Sequence, residues 1–214
     1  YYLGTLIDEM QYDNFYHEHM SYYSIKTLVL FFKRFNMEIF DVNNFPNVRT
    51  GSTRFYVKNI GQRTEKLSSN FNKMLKYENN KGFNDITVLK EYANKVRETK
   101  EKLIFTLKSI KKEGKTIIGY GASGRGTMIS NYCGIDNRYL DYVVDDAPAK
   151  HGFYTPGTHL EIKPWEYIFE AGLPDYIVLF AWAFTNEVIE KRKDYLQQGG
   201  KFIVPLPEIK IISK

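Results

Sequence analysis

The sequence predicts an α/β fold: a doubly wound parallel sheet in the C-terminal half, preceded by a helical connector and, before that, a helix with an antiparallel strand pair. Three observations predict it. From residue 114 to 214, short apolar runs alternate with helical stretches, the order that a parallel sheet with helices on both faces requires. The first of those runs, KTIIGYG, ends in glycines and leads into a helix, the context of a ligand-binding turn. The 214 residues are 43% apolar and 26% charged, which supplies a core and excludes disordered and fibrous classes.

In residues 1–62, Ser24 is an N-cap for IKTLVLFFKRF, whose apolar residues at 25, 28, 29, 32 and 35 follow helical spacing. Residues 37–42 alternate as a strand. Residues 43–52 carry turn chemistry through Pro46 and Gly51, and 53–60 form a second strand, the antiparallel neighbour of the first. Residues 63–113 form the connector. A short helix over 63–77 precedes an Asn-rich loop at 78–85. A long helix then starts near Asp85, with an apolar stripe at 88, 89, 92, 96, 103, 107 and 110 and Gly114 as its stop. In residues 114–214, strands are expected at KTIIGYG, YLDYVVDD, 174–182 and KFIVPLP, and helices at GRGTMISNYCG and from Thr185 or Asn186 to Gln197.

Thirty Lys and Arg against 25 Asp and Glu give a net charge of +5, with the two signs mixed along the chain. The densest basic stretch, Lys108–Lys115, ends the long helix, where positive charge complements the helix dipole; no nucleic-acid partner is expected. No apolar run approaches the roughly 20 residues of a membrane helix, and no membrane partner is expected. The single cysteine, Cys133, excludes a disulfide framework and a Cys-rich zinc site and suits a reducing, cytoplasmic setting. The chain begins at Tyr1 without Met, so it is read as a piece of a longer protein.

Two places carry chemistry. Gly119, Gly121 and Gly124 form G-x-G-x-x-G between a strand and a helix, where backbone N–H groups face a phosphate. Ser123 and Arg125 add a hydroxyl and a charge, and Asp145 or Asp146 supplies an acid about 20 residues on. A phosphate-bearing ligand, NAD as a special case, and a turn that binds nothing all remain open. His151 and His159 lie in a Pro/Gly loop beyond that acid. The second place is Tyr16-His17-Glu18-His19. An extended backbone puts His17 and His19 on one side, and a turn gathers all four. A phenol, a carboxylate and two imidazoles supply a base, its orienting partner and a donor to an oxyanion. A structural polar cluster and a metal site are the competing readings.

The segments YDNFYHEHMSYYSIKTL, NVRTGSTRFYV, GYGASGRGTMISNYCGI, VVDDAPAKHGFYTPGT, DYIVLFAWAF and GGKFIVPLPEI resemble the C-terminal part of the sugar C-methyltransferases, weakest over 63–100. These S-adenosylmethionine-dependent enzymes methylate a carbon of a nucleotide-linked deoxyketosugar. The resemblance implies that 1–62 closes a methyltransferase domain, that 63–113 connects, and that 114–214 is a Rossmann-like domain holding the nucleotide sugar. Its contacts are expected from Gly119, Gly121, Ser123, Gly124, Arg125, Asp145 and Tyr154. The zinc cysteines and most of the S-adenosylmethionine site would lie upstream, with no metal in this chain. His19 would take the C3 proton, Tyr16 would donate to the enolate oxygen, and Glu18 or His17 would orient His19. Arg49-Thr50-Gly51-Ser52 and Thr127 depart from the family pattern and bear on the shape of the sugar pocket. The alternative is an NAD(P)-dependent oxidoreductase or a non-catalytic nucleotide-binding module.

Overall fold

The computed structural model describes residues 1–45, 51–62 and 68–214. They divide into two compact units: Tyr1–Gln11 with His17–Asn94, and Tyr12–Tyr16 with Lys95–Lys214. Among the described residues, no helix is long and apolar enough to cross a membrane.

The first unit holds α1 (Leu3–Asp8), α2 (Ile25–Lys33), β1 (Met37–Phe45), β2 (Ser52–Asn59), α3 (Ser69–Lys81) and the start of α4 (Ile86–Lys112). Ser24 caps α2 as its spacing predicts, accepting the Thr27 N–H while the Thr27 side chain returns the bond. The two earlier N–H groups, of Ile25 and Lys26, go to the fully buried carboxylate of Glu78 at 2.7 and 3.1 Å. β1 and β2 pair antiparallel from Met37↔Asn59 to Phe45↔Ser52, with an irregularity between Ile39 and Asp41. Ile25, Leu28, Ile39, Val42 and Phe71 form the core under this pair.

One boundary differs from expectation. The Asn-rich stretch is helical through Lys81, because α3 starts at the Ser68 cap and runs until Gly82 turns left-handed. That extra turn carries Glu78 to the start of α2. The first part of the expected helix, 63–67, lies outside the described residues.

The second unit takes over α4, whose stripe is buried at Leu103, Leu107 and Ile110. Then follow β3 (Ile117–Tyr120), α5 (Gly124–Cys133), β4 (Val143–Val144), β5 (Ile162–Lys163), α6 (Tyr167–Glu170), β6 (Tyr176–Leu179), α7 (Thr185–Lys191), α8 (Lys193–Gln197), β7 (Lys201–Val204) and β8 (Lys210–Ile212). The sheet order is β5-β4-β3-β6-β7-β8, parallel except for β8 against β7. This is a Rossmann-like α/β sheet. Ile117, Ile118, Val143, Val144, Ile177, Val178 and Phe202 are all essentially buried, as strands covered on both faces must be. The chain winds outward from β3 through β4 to β5, then returns to β6 on the other side of β3, so the order reverses between β3 and β6. The expected single helix over 185–197 is broken at Arg192, whose backbone leaves helical geometry.

Candidate functional site

The reversal point is where ligands bind in such sheets. A cleft of about 340 Å³ opens there, lined by Tyr120, Gly121, Ser123, Asp145, Asp146, Ala181, Phe184, Glu187, Val188 and Lys191. The glycine turn forms one wall. Gly121 has φ +98°, and a Cβ there would lie 3.0 Å from Ala181, so only glycine fits. Gly119 lies inside β3, where a Cβ would meet Phe180 at 2.8 Å. The close helix-to-turn packing falls to Gly126, whose Cβ would stand 2.7 Å from the Gly121 carbonyl oxygen. Gly124 is open, with the nearest atoms, Cε2 and Cζ of Tyr16, at 4.0 Å. Ser123 caps α5 by accepting the Gly126 N–H at 3.1 Å.

Asp145 is buried and tied inward. It accepts the N–H groups of Ala122 at 2.7 Å and Ala147 at 2.9 Å, and the Lys150 ammonium at 2.9 Å. Asp146, beside it, faces the cleft and takes the Tyr120 hydroxyl at 2.7 Å, the Lys191 ammonium at 2.6 Å and an Arg192 N–H. Burial works against the Asp146 carboxylate, but the bonds from Lys191, Tyr120 and Arg192 outweigh it and hold its pKa below the ordinary value. The Tyr120 phenol is pushed up to about 12, by burial first and then by donating to Asp146.

Arg125 reaches inward to Asp13, donating from Nε at 2.7 Å and Nη2 at 2.9 Å. The same carboxylate, fully buried, also takes the Trp182 indole N–H at 2.7 Å. Tyr12 lies beside it, its hydroxyl 3.6 Å from the Cys133 sulfur; burial pushes both groups' pKa values up. Tyr154 is exposed and bridges to Glu161. His151 donates from Nε2 to the Asp145 carbonyl at 2.8 Å. His159 adopts φ +54° in the same loop.

The residues Tyr16 to Glu18 form a bend and turn rather than an extended stretch. Tyr16 belongs to the second unit and reaches the glycine turn, whereas His17, Glu18 and His19 belong to the first. The His19 ring packs against Tyr1, with centroids 4.1 Å apart. Tyr1 also lines a cavity of about 490 Å³ in the first unit, with Tyr23, Phe32, Phe55, Gly51 and Ser52 among its walls. Gly51 and Ser52 come from the stretch where the sequence departs from the family pattern; Arg49 and Thr50 lie outside the described residues. Among the described residues, no three His, Cys, Asp or Glu side chains are placed to hold a metal ion.

Sequence reasoning missed Asp13, Trp182, Gly126, Tyr120, Phe184 and Lys191. Gly126 was within reach, since GRG repeats the glycine spacing. Tyr120 lies inside the glycine motif itself; the others are brought in by the fold.

The sheet order and the glycine turn define a Rossmann-like α/β domain with a cleft at its reversal point. The chain belongs to the C-methyltransferase family, its residues 47–207 matching the C-methyltransferase C-terminal domain. It is 30% identical over 213 residues to the C-methyltransferase NovU of Streptomyces niveus, an alignment that takes in 99% of this chain and 50% of NovU. The chain spans about half the length of that relative.

Proposed function

We propose that the chain is the C-terminal part of an S-adenosylmethionine-dependent C-methyltransferase acting on a nucleotide-linked 4-keto-deoxysugar. The observation that carries this is the coincidence of the family match with the cleft. The matched residues take in the glycine turn and every residue lining the cleft, and the alignment with NovU extends over 99% of the chain. In this reading the turn serves the sugar nucleotide and not the methyl donor. GYGASG is the one G-x-G-x-x-G run in the sequence, and its acid, Asp145, is buried on Ala122, Ala147 and Lys150.

The cleft takes the nucleoside diphosphate, with the phosphates at the N–H groups that open α5. His19 removes the proton on C3, which the C4 ketone acidifies, and leaves an enolate. Tyr16 donates to the enolate oxygen, and Glu18 or His17 sets the tautomer of His19. Base assistance of this kind is worth about 10²- to 10⁴-fold.

The test uses the full-length enzyme and a nucleotide-linked 4-ketosugar in D₂O, with and without methyl donor. Deuterium should enter C3 without the donor, and methyl should enter with it. His19→Ala should abolish both while leaving nucleoside diphosphate affinity, read by calorimetry, within about threefold, because only a transition-state interaction is lost. Loss with His17→Ala and not His19→Ala moves the base by two residues. Tight NAD binding with no exchange at C3 would instead support the oxidoreductase reading.

A further inference from the structure

The structure assigns Asp13 to a positioning role: its buried carboxylate, held by Arg125 and Trp182, fixes Tyr16 against the glycine turn. The role in turnover rests on the function proposed above; the placement of Tyr16 does not.

Both carboxylate oxygens of Asp13 are engaged, by Nε and Nη2 of Arg125 and by Nε1 of Trp182, and the Arg125 guanidinium also lies 4.7 Å over the Trp182 ring. Three directional bonds from two elements leave the carboxylate one orientation. An apolar trio of the same volume would be at least as stable, so stability alone does not account for a buried ionic group here. Its location does. Arg125 follows Gly124 directly, and Trp182 follows Ala181, the residue that packs on Gly121. Both partners of Asp13 are thus one residue from the walls of the glycine turn. Tyr12–Asn14 form a tight 3-10 turn, closed by the Phe15 N–H to the Tyr12 carbonyl at 3.1 Å and the Tyr16 N–H to the Asn14 carbonyl at 3.1 Å. Over that short span the clamp sets the phenol end of Tyr16, with Cζ 4.0 Å from the position a Gly124 Cβ would take. A donor misplaced by about 1 Å loses roughly 10²-fold in rate.

The experiment places 3-fluorotyrosine at position 16 of the full-length enzyme and compares wild type with Asp13→Asn, which keeps shape and loses charge. The fluorine resonance should shift or broaden. On a nucleotide-linked ketosugar, kcat should fall about 10²-fold with KM within about threefold. Adding Tyr16→Phe should lower kcat no further, because the two changes remove one effect. If Asp13→Asn does not fold, Trp182→Phe removes one of the three bonds and should act in the same direction. A folded variant with an unchanged fluorine resonance overturns the proposal. A shifted resonance in an enzyme that turns over no ketosugar upholds the clamp and sinks the methyltransferase reading instead.

Discussion

The carboxylate of Asp145 accepts the backbone N–H of Ala122 at 2.7 Å, so the acid that ends β4 is fastened to the middle of the glycine turn. In a dinucleotide fold an acid in this region holds a ribose hydroxyl pair. Here it shapes the turn, and its neighbour Asp146 faces the cleft.

Asp145→Asn should therefore act on the turn first. An amide cannot accept from Ala122, Ala147 and Lys150 together, and it turns an N–H₂ toward a donor. A loss of about 1–3 kcal/mol is expected, measured by urea unfolding at pH 7, together with weaker nucleoside diphosphate binding.

Gly126→Ala and Gly124→Ala should separate sharply although the glycines are two residues apart. At Gly126 the added methyl meets the Gly121 carbonyl oxygen at 2.7 Å and Phe180 at 3.0 Å, both parts of the packed core, and overpacking costs about 1–3 kcal/mol. At Gly124 the site is open, and alanine should change stability by less than about 0.5 kcal/mol. Equal effects of the two changes on the thermal midpoint would contradict the packing described.

Acid should loosen the second unit through Asp175. This carboxylate accepts the Thr116 N–H at 2.9 Å, the Thr116 hydroxyl at 3.0 Å and the Lys115 ammonium at 3.0 Å, joining the starts of β3 and β6. Burial opposes ionisation, but the bonds from Thr116 and Lys115 prevail and hold its pKa below 3.8. A depressed folded value means that the stabilisation is present above about pH 4 and is lost as pH falls through the lower folded value. Asp175→Asn should lower stability at pH 7, and the difference from wild type should shrink as pH falls below the ordinary carboxylate range. A difference that stays constant down to pH 2 would exclude the ionic account.

Glu78→Ala should cost more than an exposed helix cap. It strands the N–H groups of Ile25 and Lys26 inside the first unit and removes a bond from Asn84. Charged-acceptor bonds of this kind contribute about 1.5–3 kcal/mol each. Glu78→Gln keeps one acceptor and should recover part of the loss in a denaturant titration.

What the sequence made legible was local. The strand, glycine turn and helix from Ile117 to Cys133 follow from adjacent residues, and the 27-residue α4 follows from its apolar stripe between 88 and 110. Ser24 as the cap of α2 was readable for the same reason. β5 and β8, of two and three residues, are too short for alternation to show. The end of α3 was misplaced because Glu78 is held by an N-terminus 53 residues away. At the site, the glycines were legible and the clamp was not. Asp13 and Arg125 stand 112 positions apart, and only the fold brings them together.

The crossing of Tyr12–Tyr16 into the second unit has a practical result for anyone dividing this protein. No single cut keeps the second unit whole. A fragment beginning at Lys95 would carry Arg125 and the Trp182 indole without their shared anion, Asp13. A fragment ending at Asn94 would carry Tyr12 and Asp13 in an internal loop, parted from Cys133, Arg125 and Trp182. The second unit can be isolated whole only if the five-residue segment travels with it, by fusion ahead of Lys95 or as an added peptide, and complementation by that peptide measures how tightly the protein is sewn through itself.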